Sequence, residues 1–160
     1  MVFDLIIGKS DTNAIKTAFA KKRIKELLST ETFENVLVLS NNQDYEEVVP
    51  KQQIIPLNEA QSYLSTLLST RNRSKHVLVV LDKISLTEMS NEMCRALSAL
   101  ASFGLTMCIS TILVTNSIVP PILRASADTI YYTELSKLAL RAIQDNTDAL
   151  VKIESSNNEN

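Results

Sequence analysis

Val2-Phe3-Asp4-Leu5-Ile6-Ile7 runs directly into Gly8-Lys9-Ser10-Asp11-Thr12-Asn13-Ala14-Ile15, and helical spacing begins at once. A short apolar run, a glycine at its end and a helix immediately behind it form the opening of a βα unit. The rest of the chain repeats the alternation. Asn35-Val36-Leu37-Val38-Leu39, Val77-Leu78-Val79-Val80-Leu81, residues 107–114 and Thr129-Ile130-Tyr131-Tyr132 are equally short and rich in β-branched or aromatic residues. Several are almost continuously apolar, as strands covered on both faces must be.

Helical stripes fill the intervals. Ile15, Phe19, Ile24, Leu27 and Leu28 share one face, opposite Lys16, Lys21, Lys22, Arg23 and Lys25, and the Lys21-Lys22-Arg23 run is expected to be solvated. Residues 58–71 give a second stripe through Ala60, Tyr63, Leu64, Leu67 and Leu68. Met89, Met93, Ala96, Leu97 and Leu100 give a third, with Gly104 expected at the C′ position. Residues 117–127 contain Pro120-Pro121 and read as a turn leading into one or two helical turns. A last helix is expected over about 134–150, followed by a polar, asparagine-rich tail, 151–160, expected to fray. The pattern predicts a single α/β domain over 1–150. Its five parallel strands are joined by right-handed crossovers, and any ligand belongs at their carboxyl ends.

Composition narrows the function. A net charge of −2 over 160 residues excludes nucleic-acid binding by overall electrostatics, so DNA contact requires a local patch or an assembly. Cys94 and Cys108 lie in apolar segments outside any ligand cluster, which predicts buried thiols and a reducing compartment. No metal site is expected, and His76, the single histidine, leaves serine-hydrolase chemistry without support. Asp4 and Lys9 interrupt the early apolar run, so no signal peptide is read. No stretch reaches the ~20 apolar residues of a membrane span.

The segment after the first strand lies where a phosphate-binding P-loop, G-x-x-x-x-G-K-[ST], would sit. With Gly8 as its first glycine, Asn13 takes the second glycine, Ala14 the lysine and Ile15 the Mg²⁺-binding hydroxyl. Counting instead from Lys16-Thr17 as the K-T pair places Ser10 and Ile15 where the glycines belong. Counting from Gly8-Lys9-Ser10 drives the loop into the strand. Lys9 could supply a compensating charge. Two further strand ends carry polar groups. Asp82 closes the third strand where a Walker B carboxylate holds the Mg²⁺ shell, but Lys83 follows it where many ATPases have an acid. Thr115-Asn116 closes the fourth, at the position of a γ-phosphate sensor. An Asp after strand three and a Thr after strand four also suit a receiver domain. The acidic pair that receivers need after strand one is replaced by Gly8-Lys9-Ser10.

Taken in order, these segments resemble the genome-packaging ATPases of large DNA viruses, within the FtsK–HerA superfamily. The points of likeness run from Leu5 to Tyr132. They are the Gly8-Lys9-Ser10 opening, the strand ending at Ser40 and the Asn42–Pro50 element with Tyr45. Leu81-Asp82, Phe103-Gly104, Thr115-Asn116 and Pro120-Pro121-Ile122-Leu123-Arg124 follow. The resemblance implies a P-loop NTPase-like three-layer sandwich of sheet order 5-1-4-3-2, ring assembly and ATP-driven DNA translocation. It carries roles onto Asp82, onto Thr115 and Asn116 as sensors, and onto Arg124 as a side chain reaching a neighbour's nucleotide. Gly8, Lys9, Ser10, Asn13, Ala14 and Ile15 then form a degenerate nucleotide loop, in which ATP and Mg²⁺ bind weakly if at all. On that reading no cofactor is required, and the chain is a binding or structural subunit in virion assembly or genome packaging. It would form homo- or hetero-oligomers with a packaging ATPase or capsid component, and sit in the cytoplasm of an infected cell or in the virion. The alternative is an active motor subunit with a deviant loop.

Overall fold

A computed structural model of the chain describes residues 2–70, 75–84, 89–116, 119–144 and 149–154. Its centre is a parallel sheet of β1 (Phe3–Gly8), β2 (Asn35–Leu39), β3 (Ile54–Ile55), β4 (Val77–Ile84), β5 (Ile109–Thr115), β6 (Thr129–Thr133) and β7 (Leu150–Lys152). The order is β3-β2-β4-β5-β1-β6-β7. The five strands expected from sequence keep their order, now β6-β1-β5-β4-β2, but the described residues form seven strands and not five. The additions are edge strands too short to leave a pattern. β3 has two residues, with Pro50 and Pro56 on either side, and β7 has three, in parallel register with β6. The last helix therefore ends earlier than expected, as α5 (Lys137–Gln144), and the chain returns to the sheet with Ile153 buried. The expected tail begins too early, since residues 150–153 belong to the fold; 155–160 lie outside the described residues.

The pleat sorts the core into two layers. Leu78 and Val80 of β4 face α1 (Asn13–Thr30), where Ala20, Ile24 and Leu27 meet Ile6, Val38, Ile112 and Val114. Val77, Val79 and Leu81 face the opposite way, toward α2 (Ala60–Thr70), α3 (Asn91–Phe103), α4 (Pro121–Ser126) and α5. Each of those four helices contributes at least one buried aliphatic residue to that face: Leu64, Leu97, Leu123 and Ile143. The helix starts follow simple chemistry. Ser90 accepts the Met93 N–H at the start of α3, and Pro121 stands at the first turn of α4, where its missing N–H costs nothing.

Three expectations are corrected. Gly104 has φ −53 and is not a left-handed cap. Its lack of a side chain serves close approach, because a Cβ there would lie 2.5 Å from the Leu100 carbonyl oxygen. Cys94 is exposed and Cys108 half-buried, since α3 turns Cys94 away from its Met93–Leu97 face. The charged face of α1 is not wholly solvated. Arg23 pairs at 2.8 Å with Asp4, a buried carboxylate inside β1. Lys16 is 1% exposed.

Candidate functional site

The carboxyl ends of β1, β4 and β5 converge on the first turns of α1, where Thr12, Lys16, Thr17, Asp82 and Thr115 are buried together. Burying polar groups without partners costs free energy, so their contacts indicate what the site is built to hold. The Lys16 ammonium donates to the Gly8 carbonyl at 2.9 Å, the Thr115 carbonyl at 3.1 Å and Asn116 Oδ1 at 3.4 Å. Those three acceptors match the three protons of an ammonium. Burial pulls the Lys16 pKa down from 10.5; the Asp82 and Asp11 charges oppose the shift and Lys83 adds to it.

One residue further along α1, the Thr17 hydroxyl donates to Asp82 Oδ2 at 3.2 Å. Asp82 is fully buried, and desolvation raises its pKa above the usual carboxylate range against the lowering effects of the Tyr45 and Thr17 hydroxyls and the Lys83 and Lys16 charges. Its second oxygen, Oδ1, has no hydrogen-bond donor. The Tyr45 phenol, also fully buried, lies beside this carboxylate without reaching hydrogen-bond geometry, and burial and the Asp82 charge push its own pKa up. Tyr45 is held from behind, because its carbonyl accepts the N–H groups of Val48 and Val49.

The loop leading into this cluster is short and closed. The Lys9 carbonyl accepts both the N–H of Thr12 at 3.0 Å and its hydroxyl at 2.6 Å, and a 3₁₀ turn over Ser10–Thr12 passes straight into α1 at Asn13. A backbone nest around phosphate alternates right- and left-handed residues. No residue from Gly8 to Thr17 has positive φ. Gly8 serves packing: a Cβ there would stand 2.6 Å from the Thr133 carbonyl oxygen and 2.8 Å from Thr12 Oγ1. Glu134, φ 45, just after β6, and Lys83 are the left-handed residues described at this end of the sheet; Lys83, φ 59, stands where the β4–β5 register shifts between Asp82 and Ile84. Its exposed side chain borders a recess of about 590 Å³ that Asn13, Ala14, Thr17, Lys21 and Asn42 also line.

These positions change the reading of the loop. Lys9 and Ser10 are exposed, Asn13 and Ala14 border the recess, and Ile15 is half-buried among the apolar groups under α1. The side chains that meet Asp82 and the end of β5 are Lys16 and Thr17. The preferred count from Gly8 put Ala14 and Ile15 in the lysine and hydroxyl positions, but the lysine and hydroxyl that reach the ends of β5 and β4 are those of the count ending at Lys16-Thr17. The signal was present, since four residues separate Ser10 from Ile15 as the motif demands. Two absent glycines and an assumed solvent face hid it. Thr115 and Asn116 contribute acceptors for Lys16. Arg124 lies apart on α4, and its Nη1 donates to the Ala142 carbonyl of α5 at 3.1 Å.

Solved structures match this fold. The genome-packaging NTPase B204 of Sulfolobus turreted icosahedral virus 2 superposes with a TM-score of 0.62 at 16% identity, over 92% of this chain and 83% of its own. The fold is that of the P-loop NTPases. The cytoplasmic domain of EssC gives a TM-score of 0.70 at 14% identity, over 91% of this chain and 34% of its own. EssC ATPases 2 and 3 from Geobacillus thermodenitrificans give 0.58 at 14%, over 94% and 35%. No protein-family model matches the sequence, and no curated protein matches it. Among the described residues no helix is long and apolar enough to cross a membrane.

Proposed function

We propose that this chain is a non-hydrolysing relative of the viral packaging ATPases. It would act as a binding or structural subunit in virion assembly or genome packaging, with its former nucleotide site closed on itself. The observation that carries this reading is the position of Lys16. A phosphate-binding lysine must offer its ammonium to the β- and γ-phosphates. Here all three donors are taken by Gly8, Thr115 and Asn116 of the same chain, in a site with 1% exposure. Two features support it. The Gly8–Thr17 backbone lacks the left-handed residues of a nest. Lys83 brings positive charge where an acid would orient the attacking water, and phosphoryl transfer depends almost wholly on such placed charge.

The Thr17–Asp82 hydrogen bond favours the second reading, an active motor subunit with an unorthodox loop. A hydroxyl and a carboxylate in contact are the pair that would hold a Mg²⁺ shell, an ion that takes oxygen ligands.

Thermal unfolding with ATP or ADP, with and without Mg²⁺, separates the two. A ligand at a hundredfold excess over its Kd stabilises the folded state by about 2.7 kcal/mol. The proposal expects no shift in Tm at about 1 mM nucleotide, a concentration that would reveal any micromolar site. A Mg²⁺-dependent rise that Lys16→Met abolishes would establish the second reading.

A further inference from the structure

One side chain of an otherwise exposed segment runs deep into the molecule. Gln43, Asp44, Glu46 and Glu47 of the 3₁₀ turn after β2 are exposed, but Tyr45 is the largest fully buried side chain among the described residues. The turn is tied locally. Asn42 Oδ1 accepts the Asp44 N–H, and the Tyr45 carbonyl accepts the N–H groups of Val48 and Val49. Asn41, Asn42 and Gln43 wall two recesses at once, one of about 590 Å³ against α1 and one of about 260 Å³ against Pro56. Residues 42–49 thus form a strap between two clefts, with Tyr45 as its one deep anchor.

The far end of that side chain is unusual. A buried donor or acceptor left unpaired costs more than a made bond gains, so such groups rarely stay apart. The Tyr45 hydroxyl and Asp82 Oδ1 are both buried and both without a partner. The groups facing the phenol are the Asp82 carboxylate and the Thr17 hydroxyl. Thr17 already gives its hydrogen to Asp82 Oδ2. One donor and one acceptor are therefore left over in the same place. A phenolic hydrogen turns about its C–O bond, so a small shift of the strap makes the bond, and bonds to a carboxylate are among the strong ones.

We propose that Tyr45 is a latch, whose hydroxyl closes onto Asp82 Oδ1 and so ties the strap to the end of β4. The seat of the strap and the availability of Asp82 are then one equilibrium, because a seated strap withholds Oδ1 from any other donor. The latch rests on Tyr45 and Asp82 alone and not on the proposed loss of hydrolysis.

Amide hydrogen exchange at Val48 and Val49 reads the strap directly, because both N–H groups end on the Tyr45 carbonyl. Tyr45→Phe keeps the ring that fills the core and removes only the hydroxyl. The latch predicts exchange at least about tenfold faster at these two amides, as for loss of a bond to a charged group. Gly104 and Ile109, bonded to Leu100 and Gly104 at the other end of the sheet, should be unchanged. An orphaned hydroxyl with no such role predicts the opposite sign, since its removal relieves a buried polar group. Asp82→Ala should speed Val48 and Val49 by a similar factor, and the double variant by no more than either change alone. Unchanged or slower exchange in Tyr45→Phe overturns the proposal. So do additive effects in the double variant. Equal acceleration at Gly104 and Ile109 also overturns it, because the whole domain has then loosened and not the strap.

Discussion

Val77–Leu81 and Asp82 are consecutive in β4 and equally hidden from water, yet they are buried for opposite reasons. The aliphatic run is covered on both faces, and every residue in it stabilises the sheet by leaving water, at roughly 25 cal/mol per Å² of apolar surface. Asp82 loses hydration and recovers only one hydrogen bond, from Thr17. The first stretch explains the fold. The second has no account in fold stability, and desolvated ionisable groups of that kind cluster at functional sites. The contrast can be probed residue by residue.

The largest effect belongs to the aliphatic run. Val80→Asp places a carboxylate without a partner in the α1 layer of the core, at a cost of at least ~3 kcal/mol, and soluble folded protein should be lost. Circular dichroism of the purified variant checks this. A folded variant would mean that α1 does not cover β4. Gly8→Ala comes next. Its new methyl would sit 2.6 Å from the Thr133 backbone oxygen, which cannot rotate away, so chemical denaturation should show a loss of about 1–3 kcal/mol.

Lys16→Met should be milder. It leaves the Gly8 and Thr115 carbonyls without their donor but also removes a desolvated charge, for a net loss of about 1 kcal/mol. The loss should be the same with and without ATP. If the variant is destabilised only when nucleotide is present, Lys16 is a ligand-binding group rather than an internal tie.

The smallest effect has the opposite sign. The folded-state pKa of Asp82 is raised above its ordinary 3.8, so the folded protein binds the proton more tightly than the unfolded chain does. The resulting stabilisation is complete below 3.8 and disappears as pH rises through the folded-state value. Asp4, raised mainly by its own burial, titrates in the same sense. Lys16, lowered by burial, acts at the alkaline end, where stability rises toward pH 10.5. Asp82→Asn should therefore raise Tm once pH is above the folded-state value and flatten the decline in stability as pH rises from 3.8. A lower Tm would show that the ionised carboxylate stabilises the fold.

The same contrast governs what could be read in advance. The aliphatic strands declare themselves, because a run such as Val77–Leu81 admits few structures, and their alternation with helical stripes fixes parallel crossovers. The edge strands could not be seen: Ile54–Ile55 and Leu150–Lys152 are too short for a period, and only pairing with β2 and β6 defines them. At the site, Asp82 was legible from its place at a strand end. Lys16 was legible only as one of the rival counts, because amphipathic spacing counts a lysine as solvent-facing unless a tertiary acceptor is known. Its acceptors, Thr115 and Asn116, come from a strand far along the chain. Tyr45 was visible as part of a segment but not as a neighbour of Asp82, since that contact also depends on how distant strands line up.

We propose above that the chain keeps the side chains of a nucleotide site on a backbone that no longer opens to phosphate. Steady-state ATP turnover at high protein concentration with Mg²⁺ tests it most directly. Losing single placed charges commonly costs ~3 kcal/mol in such transition states, so the account predicts release of phosphate no faster than the protein-free background. Mg²⁺-dependent turnover by the wild type, abolished by Asp82→Ala and by Lys16→Met, would contradict it.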